Sequence, residues 1–155
     1  MIRASYQLPT DLWPHQGTGI NGVIASYMAG LRRLVLTAPC GAGKTRMMIE
    51  LLLWAMANGM PAALYTSRRM LFKQTCKVLE NHGIEFGVRA SGKDTHLLRN
   101  IQIAMTQTEL SAVYKRKTRT LHPAKLVLID EIHMQGGAAM QQIIQDHAAA
   151  GAVVV

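Results

Sequence analysis

Cysteine is almost missing from this sequence: Cys40 and Cys76 are its two thiols, they form no CxxC pair, and the six histidines show no metal-ligand spacing. That argues against a structural zinc site, and a reducing cytoplasm is the expected setting. Long uninterrupted apolar runs are missing too. The opening "MIRASYQLPTDLWPHQ" holds none of signal-peptide length, and the most apolar region is broken by Glu50 and by "NGMP". No segment is therefore expected to span or enter a membrane. Aromatic residues are scarce, at 5% of the chain, and ten methionines are expected to share the gap-filling in the core. Acidic residues are outnumbered: nine Asp and Glu face seventeen Lys and Arg, for a formal charge of +8. Such a surplus suits a polyanionic partner, nucleic acid first and an anionic membrane second, with a merely solvated basic surface as the plain alternative.

What is present reads as one globular domain. The 155 residues are 49% hydrophobic, enough to bury about 68–70% of the surface an unfolded chain of this size exposes. From Leu34 onward, apolar runs alternate with helical patterns: "LVLTA", a helix over Lys44 to Ala57, "AALYTS", and a helix from about Arg69 to Glu80. Gly59 and Gly83 follow those helices, where a residue of positive φ commonly ends one, and Pro61 blocks continuation of the first. Further strands are expected at Glu85–Ala90, Ile101–Met105 and Lys125–Asp130. These runs are continuous rather than alternating, the pattern of a parallel sheet covered by helices on both faces. A last helix is expected over about Ala138–Ala149, where Met140, Ile143, Ile144 and His147 share one face. "AVVV" then begins another buried strand. The sequence stops inside that strand pattern, so we expect a C-terminally truncated piece of a longer protein.

The stretch "TAPCGAGKT", Thr37 to Thr45, lies between a strand pattern and a helix pattern. A strand that delivers a glycine-rich turn into a helix start presents backbone N–H groups and the positive end of the helix dipole to one point. Phosphate is the natural guest. Gly41 and Gly43 let the loop curl, Lys44 can reach β and γ oxygens, and Thr45 can ligate Mg²⁺. Pro39, Cys40, Gly41, Ala42, Gly43, Lys44, Thr45 and Arg46 are the candidate nucleotide contacts, Cys40 mainly as a small filler. The full pattern wants glycine at position 38, where this chain has alanine.

"KLVLIDEIH" closes a buried strand with Asp130, Glu131 and His133, and ligands of open α/β sheets sit just beyond the carboxyl ends of strands. Asp130 is the candidate metal holder. Glu131 is the candidate base that orients or deprotonates the water attacking the γ-phosphorus. A simple helix cap is the alternative for this pair. Together the two motifs point to hydrolysis of a nucleoside triphosphate with Mg²⁺, with Lys44, Asp130 and Glu131 as the catalytic candidates.

On these residues the chain resembles the first RecA-like domain of superfamily two helicases, in the DExH group that includes restriction-enzyme translocase subunits and phage helicases. "APCGAGKT" and "DEIH" carry the resemblance, which covers about Leu12 to His133; alanine at position 38 is usual in that family. The resemblance implies a RecA-like P-loop NTPase fold spanning residues 1–155, with a mostly parallel sheet between helices. It implies that "LWPHQ" is similar to the adenine-reading segment, with Gln16 pairing to adenine N6 and N7. "LYTSRRMLFKQ" and "IAMTQTEL" look like family segments that grip the sugar-phosphate backbone, through Ser67, Arg68, Arg69, Thr106 and Gln107. Hydroxyls and guanidiniums at strand ends suit phosphate oxygens and read no sequence. "KRKTR", Lys115 to Arg119, is either a further phosphate-facing loop or a solvated helix end. His133 couples the nucleotide site to nucleic acid in the family.

The same resemblance implies partners. Nucleic acid is expected, DNA favoured over RNA, together with a second RecA-like domain that this chain lacks and that carries the arginine finger. By itself the chain is expected to bind ATP weakly and hydrolyse it poorly. The function implied is the ATP-binding half of a helicase. A duplex translocase that separates no strands, and a nucleotide-dependent binding module without motor activity, are the alternatives.

Overall fold

A computed structural model of the chain describes residues 6–130 and 137–155. The element order is α1 (Pro14–Met28), α2 (Lys44–Ala57), β1 (Ala62–Thr66), α3 (Arg69–Asn81), β2 (Gly87–Arg89), β3 (Ile101–Met105), α4 (Thr106–Leu110) running into a π-helical turn (Ser111–Lys115), β4 (Leu126–Ile129), α5 (Ala138–Ala149) and β5 (Val153–Val154). Five strands form one sheet in the order β2-β3-β1-β4-β5, and every strand pair is parallel. The fold is therefore α/β and RecA-like. Among the described residues no helix is long and apolar enough to cross a membrane.

The apolar strands explain the layering. β1 and β4 are buried at every position, and successive side chains of a strand face opposite sides. Ala62, Leu64, Leu126 and Leu128 enter one core with Ile20 of α1, Met47, Leu51 and Trp54 of α2, and Leu79 of α3. Ala63, Tyr65, Val127 and Ile129 enter the other with Met140, Ile143 and Ile144 of α5. Gly59 and Gly83 end α2 and α3 at φ 64° and 66°.

Two local expectations are corrected. The run Leu34–Ala38 forms no ladder. Leu34 N donates to Val154 O at 2.8 Å and Val154 N to Arg32 O at 2.9 Å, and that single bridge, at Arg33 and Val154, is its whole pairing. Beyond it the run has no strand neighbour among the described residues, and Val35 is 80% exposed. The second is the omission of α1, whose glycines at 17, 19 and 22 lower its helix propensity. Packing overrides that deficit. Gln16, Ile20 and Val23 are buried on one face, and Gly19 comes so close to Leu36 and Met47 that a Cβ there would lie 3.2–3.3 Å from their side chains.

Candidate functional site

The turn before α2 is built by two glycines in left-handed conformation, Gly41 at φ 80° and Gly43 at φ 75°. At Gly43 space is also required, since a Cβ would lie 2.2 Å from Gln16 Nε2. Helix α2 starts at Lys44 with no acidic residue in its first turn, and Met47 N is the donor that returns to Gly43 O, at 3.2 Å. The preceding amides of the helix start thus keep their capacity for an anion. Lys44 Nζ folds back and donates to Ala38 O at 3.0 Å. Pro39 and Cys40 are exposed, Ala42 is buried and Thr45 half-buried.

Gln16 lies across this turn. It is 7% exposed, its Oε1 accepts from Trp13 N at 3.1 Å, and its Nε2 donates to Ala42 O at 3.1 Å. His15 Nε2 sits 3.0 Å from the same carbonyl. The expected base-reading segment and the expected phosphate loop are therefore in direct contact. Arg46, grouped with the loop by sequence, is engaged elsewhere: its Nε lies 2.8 Å from Glu50 Oε1 and its Nη2 3.4 Å from Asp11 Oδ1.

Asp130 follows β4 and is 8% exposed. Its N–H donates to Tyr65 O at 3.0 Å, and Thr66 Oγ1 donates to Asp130 Oδ2 at 3.5 Å. A cavity of about 400 Å³ opens between the 34–38 run and β4, with Thr37, Ala38, Lys44 and Asp130 in its lining. The rest of that lining is apolar, including Leu36, Met48, Leu51, Leu128 and Val155. Lys44 and Asp130, 86 residues apart in sequence, thus share one cavity because the 34–38 run leads into the start of α2 beside the carboxyl end of β4. Glu131 and His133 lie outside the described residues. The donor set fits a magnesium–triphosphate group: helix-start amides and Lys44 for phosphate oxygens, the Thr45 hydroxyl and the Asp130 carboxylate for the cation.

Farther along the same edge, β1 and β3 end side by side, Thr66 opposite Met105. Ser67, Arg68, Arg69 and Gln107 follow them and are exposed. Arg68 N donates to Thr66 Oγ1 at 3.1 Å, which shapes the turn. Thr106 differs, because its side chain is buried and cannot reach a ligand at the surface. A third exit turn, missed from sequence, extends this rim: Ser91, Gly92 and Lys93 follow β2 and are exposed, and Ser91 N donates to Thr108 Oγ1 at 3.2 Å. The signal was readable, since "SGK" follows a strand pattern just as "TSRR" does.

The basic run divides. Lys115, Arg116 and Lys117 are exposed, whereas Arg119 turns inward, its Nη1 2.6 Å from Asp94 Oδ2 and its Nη2 2.9 Å from Glu109 Oε2. Glu109 is fully buried and also holds Arg89 Nη1 at 2.5 Å, which donates in turn to Thr120 O at 3.0 Å. Nearby, Tyr65 OH and His147 Nε2 are 2.8 Å apart. Burial, reinforced by His122, pushes His147 down to about 4, so the neutral ring accepts from the tyrosine. Burial also raises the Tyr65 hydroxyl above its ordinary value.

A family model described as "Type III restriction enzyme, res subunit" matches residues 10–153. Among solved structures, the UvsW helicase from bacteriophage T4 is similar with a TM-score of 0.68 at 14% identity, over 97% of this chain and 53% of that one. A hypothetical ATP-dependent RNA helicase from Sulfolobus tokodaii gives 0.64 at 18%, over 97% and 45%. The RNA helicase Prp28 from Chaetomium thermophilum, bound to ADP, gives 0.50 at 18%, over 95% and 44%. At these identities the likeness concerns the fold. The chain spans about half the length of these proteins. No curated protein matches the sequence.

Proposed function

The chain belongs to the family of type III restriction enzyme res subunits, and from that premise we propose that it is the ATP-binding half of an ATP-dependent helicase or translocase. In this reading residues 1–155 are the first RecA-like domain, and a second such domain supplies the closing wall of the nucleotide site. Lys44 and the amides of the α2 start hold the β and γ phosphates, Thr45 and Asp130 hold Mg²⁺, and Glu131 activates the attacking water. Gln16 reads adenine. Ser67, Arg68, Arg69 and Gln107, joined by Ser91 and Lys93, grip a nucleic-acid backbone, and His133 couples the two sites. DNA is the first track to test and RNA its competitor, two of the similar structures being described as RNA helicases.

The observation that carries this reading is the shared cavity of Lys44 and Asp130 at the start of α2. A hydrogen-bonded charge contributes about 1.5–3 kcal/mol, so Lys44→Ala should weaken Mg·ATP binding by at least about tenfold. Calorimetric titration checks this, and an unchanged affinity sinks the phosphate-loop claim. A second reading, duplex translocation without strand separation, draws support from the restriction-enzyme family itself. Stimulation of the full-length protein's ATPase by duplex DNA but not by single strands would favour it over unwinding.

A further inference from the structure

Glu50 is a buried carboxylate, 2% exposed, on the face of α2 below the phosphate loop, and no role assigned above uses it. An ionised carboxylate out of water needs partners. Two are present. The Tyr6 hydroxyl donates a hydrogen bond to Glu50 Oε2. Arg46 Nε stands 2.8 Å from Oε1, at an angle that makes it a charge contact rather than an aligned hydrogen bond. Burial, and then the bond to Glu50, hold the Tyr6 hydroxyl above its ordinary value, so it stays a donor. Arg46 in turn reaches Asp11 at 3.4 Å.

Both Tyr6 and Asp11 belong to residues 6–13, the described part of the segment before α1, which has neither helix nor strand. No backbone ladder among the described residues fixes that stretch, so side-chain anchors must. Tyr6, Leu8 and Leu12 supply apolar ones, and Glu50 and Arg46 supply the polar ones. The segment ends at Trp13, whose N–H holds Gln16 Oε1 while Gln16 Nε2 holds Ala42 O. The contacts thus close a ring that leaves α2 at Glu50 and Arg46, passes through Tyr6, Asp11, Trp13 and Gln16, and returns to the loop that starts α2.

We infer that Glu50 and Tyr6 are positioning residues for base recognition: they set where Gln16 stands relative to the phosphate loop, and so govern the preference for the adenine end of the ligand rather than the grip on its phosphates. The inference rests on the reading of Gln16 as the adenine contact. Neither residue lines the cavity shared by Lys44 and Asp130.

The test compares two ligands on the whole chain, Mg·ATP and Mg·tripolyphosphate, by calorimetric titration. Tyr6→Phe removes one hydroxyl and keeps the ring in the core. Losing one net hydrogen bond should lower ATP affinity by about two- to tenfold and leave tripolyphosphate affinity unchanged within about twofold. Glu50→Gln, which keeps shape and loses charge, should do the same, while a control at Gln16→Ala should remove the gap between the two ligands. Equal loss for both ligands with Tyr6→Phe, or no loss for either, overturns the positioning role. If Gln16→Ala closes the gap but Tyr6→Phe does not, base reading survives and this inference fails. A gap untouched by Gln16→Ala, or wild-type chain that binds neither ligand, removes both.

Discussion

At the β5 end of the sheet's carboxyl edge, Lys44 donates to Ala38 O and Gln16 to Ala42 O, both neutral backbone acceptors beside an open cavity. At the β2 end, Arg89 and Arg119 are turned onto the buried carboxylate of Glu109, and Arg119 also reaches the exposed carboxylate of Asp94. The two ends use the same donor chemistry for opposite purposes. A bond to a neutral carbonyl strands no second charge when it is released, so it exchanges readily for a charged ligand oxygen. A buried ion pair resists exchange, because releasing one partner strands the other charge out of water. Held in place in this way, the β2 end gives the neighbouring exit turns a rigid base, and the β5 end keeps its polar groups available.

The largest effect that can break this contrast lies at Glu109. Replacing it by alanine leaves Arg89 buried without its carboxylate and Arg119 with Asp94 alone, and should destabilise the fold by about 3–5 kcal/mol. Thermal unfolding should fall by roughly 6–20 °C for a domain of this size. Lys44→Ala should cost less than about 3 kcal/mol of stability, even as it weakens nucleotide binding. If Lys44 proves the more destabilising of the two, the division between exchangeable and locked charges is wrong.

A smaller effect is expected with pH. His147 is held neutral by burial, down to about 4 against an ordinary 6.5, so the unfolded chain takes up a proton that the folded one refuses. Stability should be level above about pH 6.5 and decline by roughly 1–3 kcal/mol as pH falls toward 4. Denaturant unfolding at pH 7 and pH 5 measures this, and His147→Asn should flatten the difference. An unchanged pH profile in that variant would remove His147 as the source.

The smallest effect sharpens the contrast on the rim. Arg69→Ala should lower the log–log salt slope of single-strand binding by about 0.7, the signature of one lost phosphate contact. Arg119→Ala, with its guanidinium turned inward, should leave that slope alone. Equal slope changes from both would put Arg119 at the phosphate-facing surface.

Legibility followed locality. The span of α2 and the runs that became β1, β3 and β4 are readable because burial on both faces leaves continuous apolar residues, and because Gly59 and Gly83 stop helices where left-handed backbone is needed. The candidate loop is readable for the same reason, since its glycines and Lys44 are neighbours in the chain. The helix α1 was hidden by glycines that only tertiary packing tolerates. The run Leu34–Ala38 looked like a strand because its residues are apolar, but a strand also needs a neighbour, and that is not written in the run itself. The pairing of Arg46 and the inward turn of Arg119 were equally hidden: composition counts a positive charge and cannot say which carboxylate the fold will bring to meet it.

The order of residues alone therefore shows most of the alternation of strands and helices from Lys44 onward and which functional groups follow each strand, because periodicity, glycine torsions and adjacent functional groups are properties of short stretches. Tertiary structure decides that Lys44 and Asp130 share a cavity, that Gln16 closes on the turn before α2, and that Glu50, Glu109 and Arg119 are buried partners. Those relations, apart from the Arg46–Glu50 pair within α2, depend on distances between residues far apart in the chain, and only the packed fold fixes them.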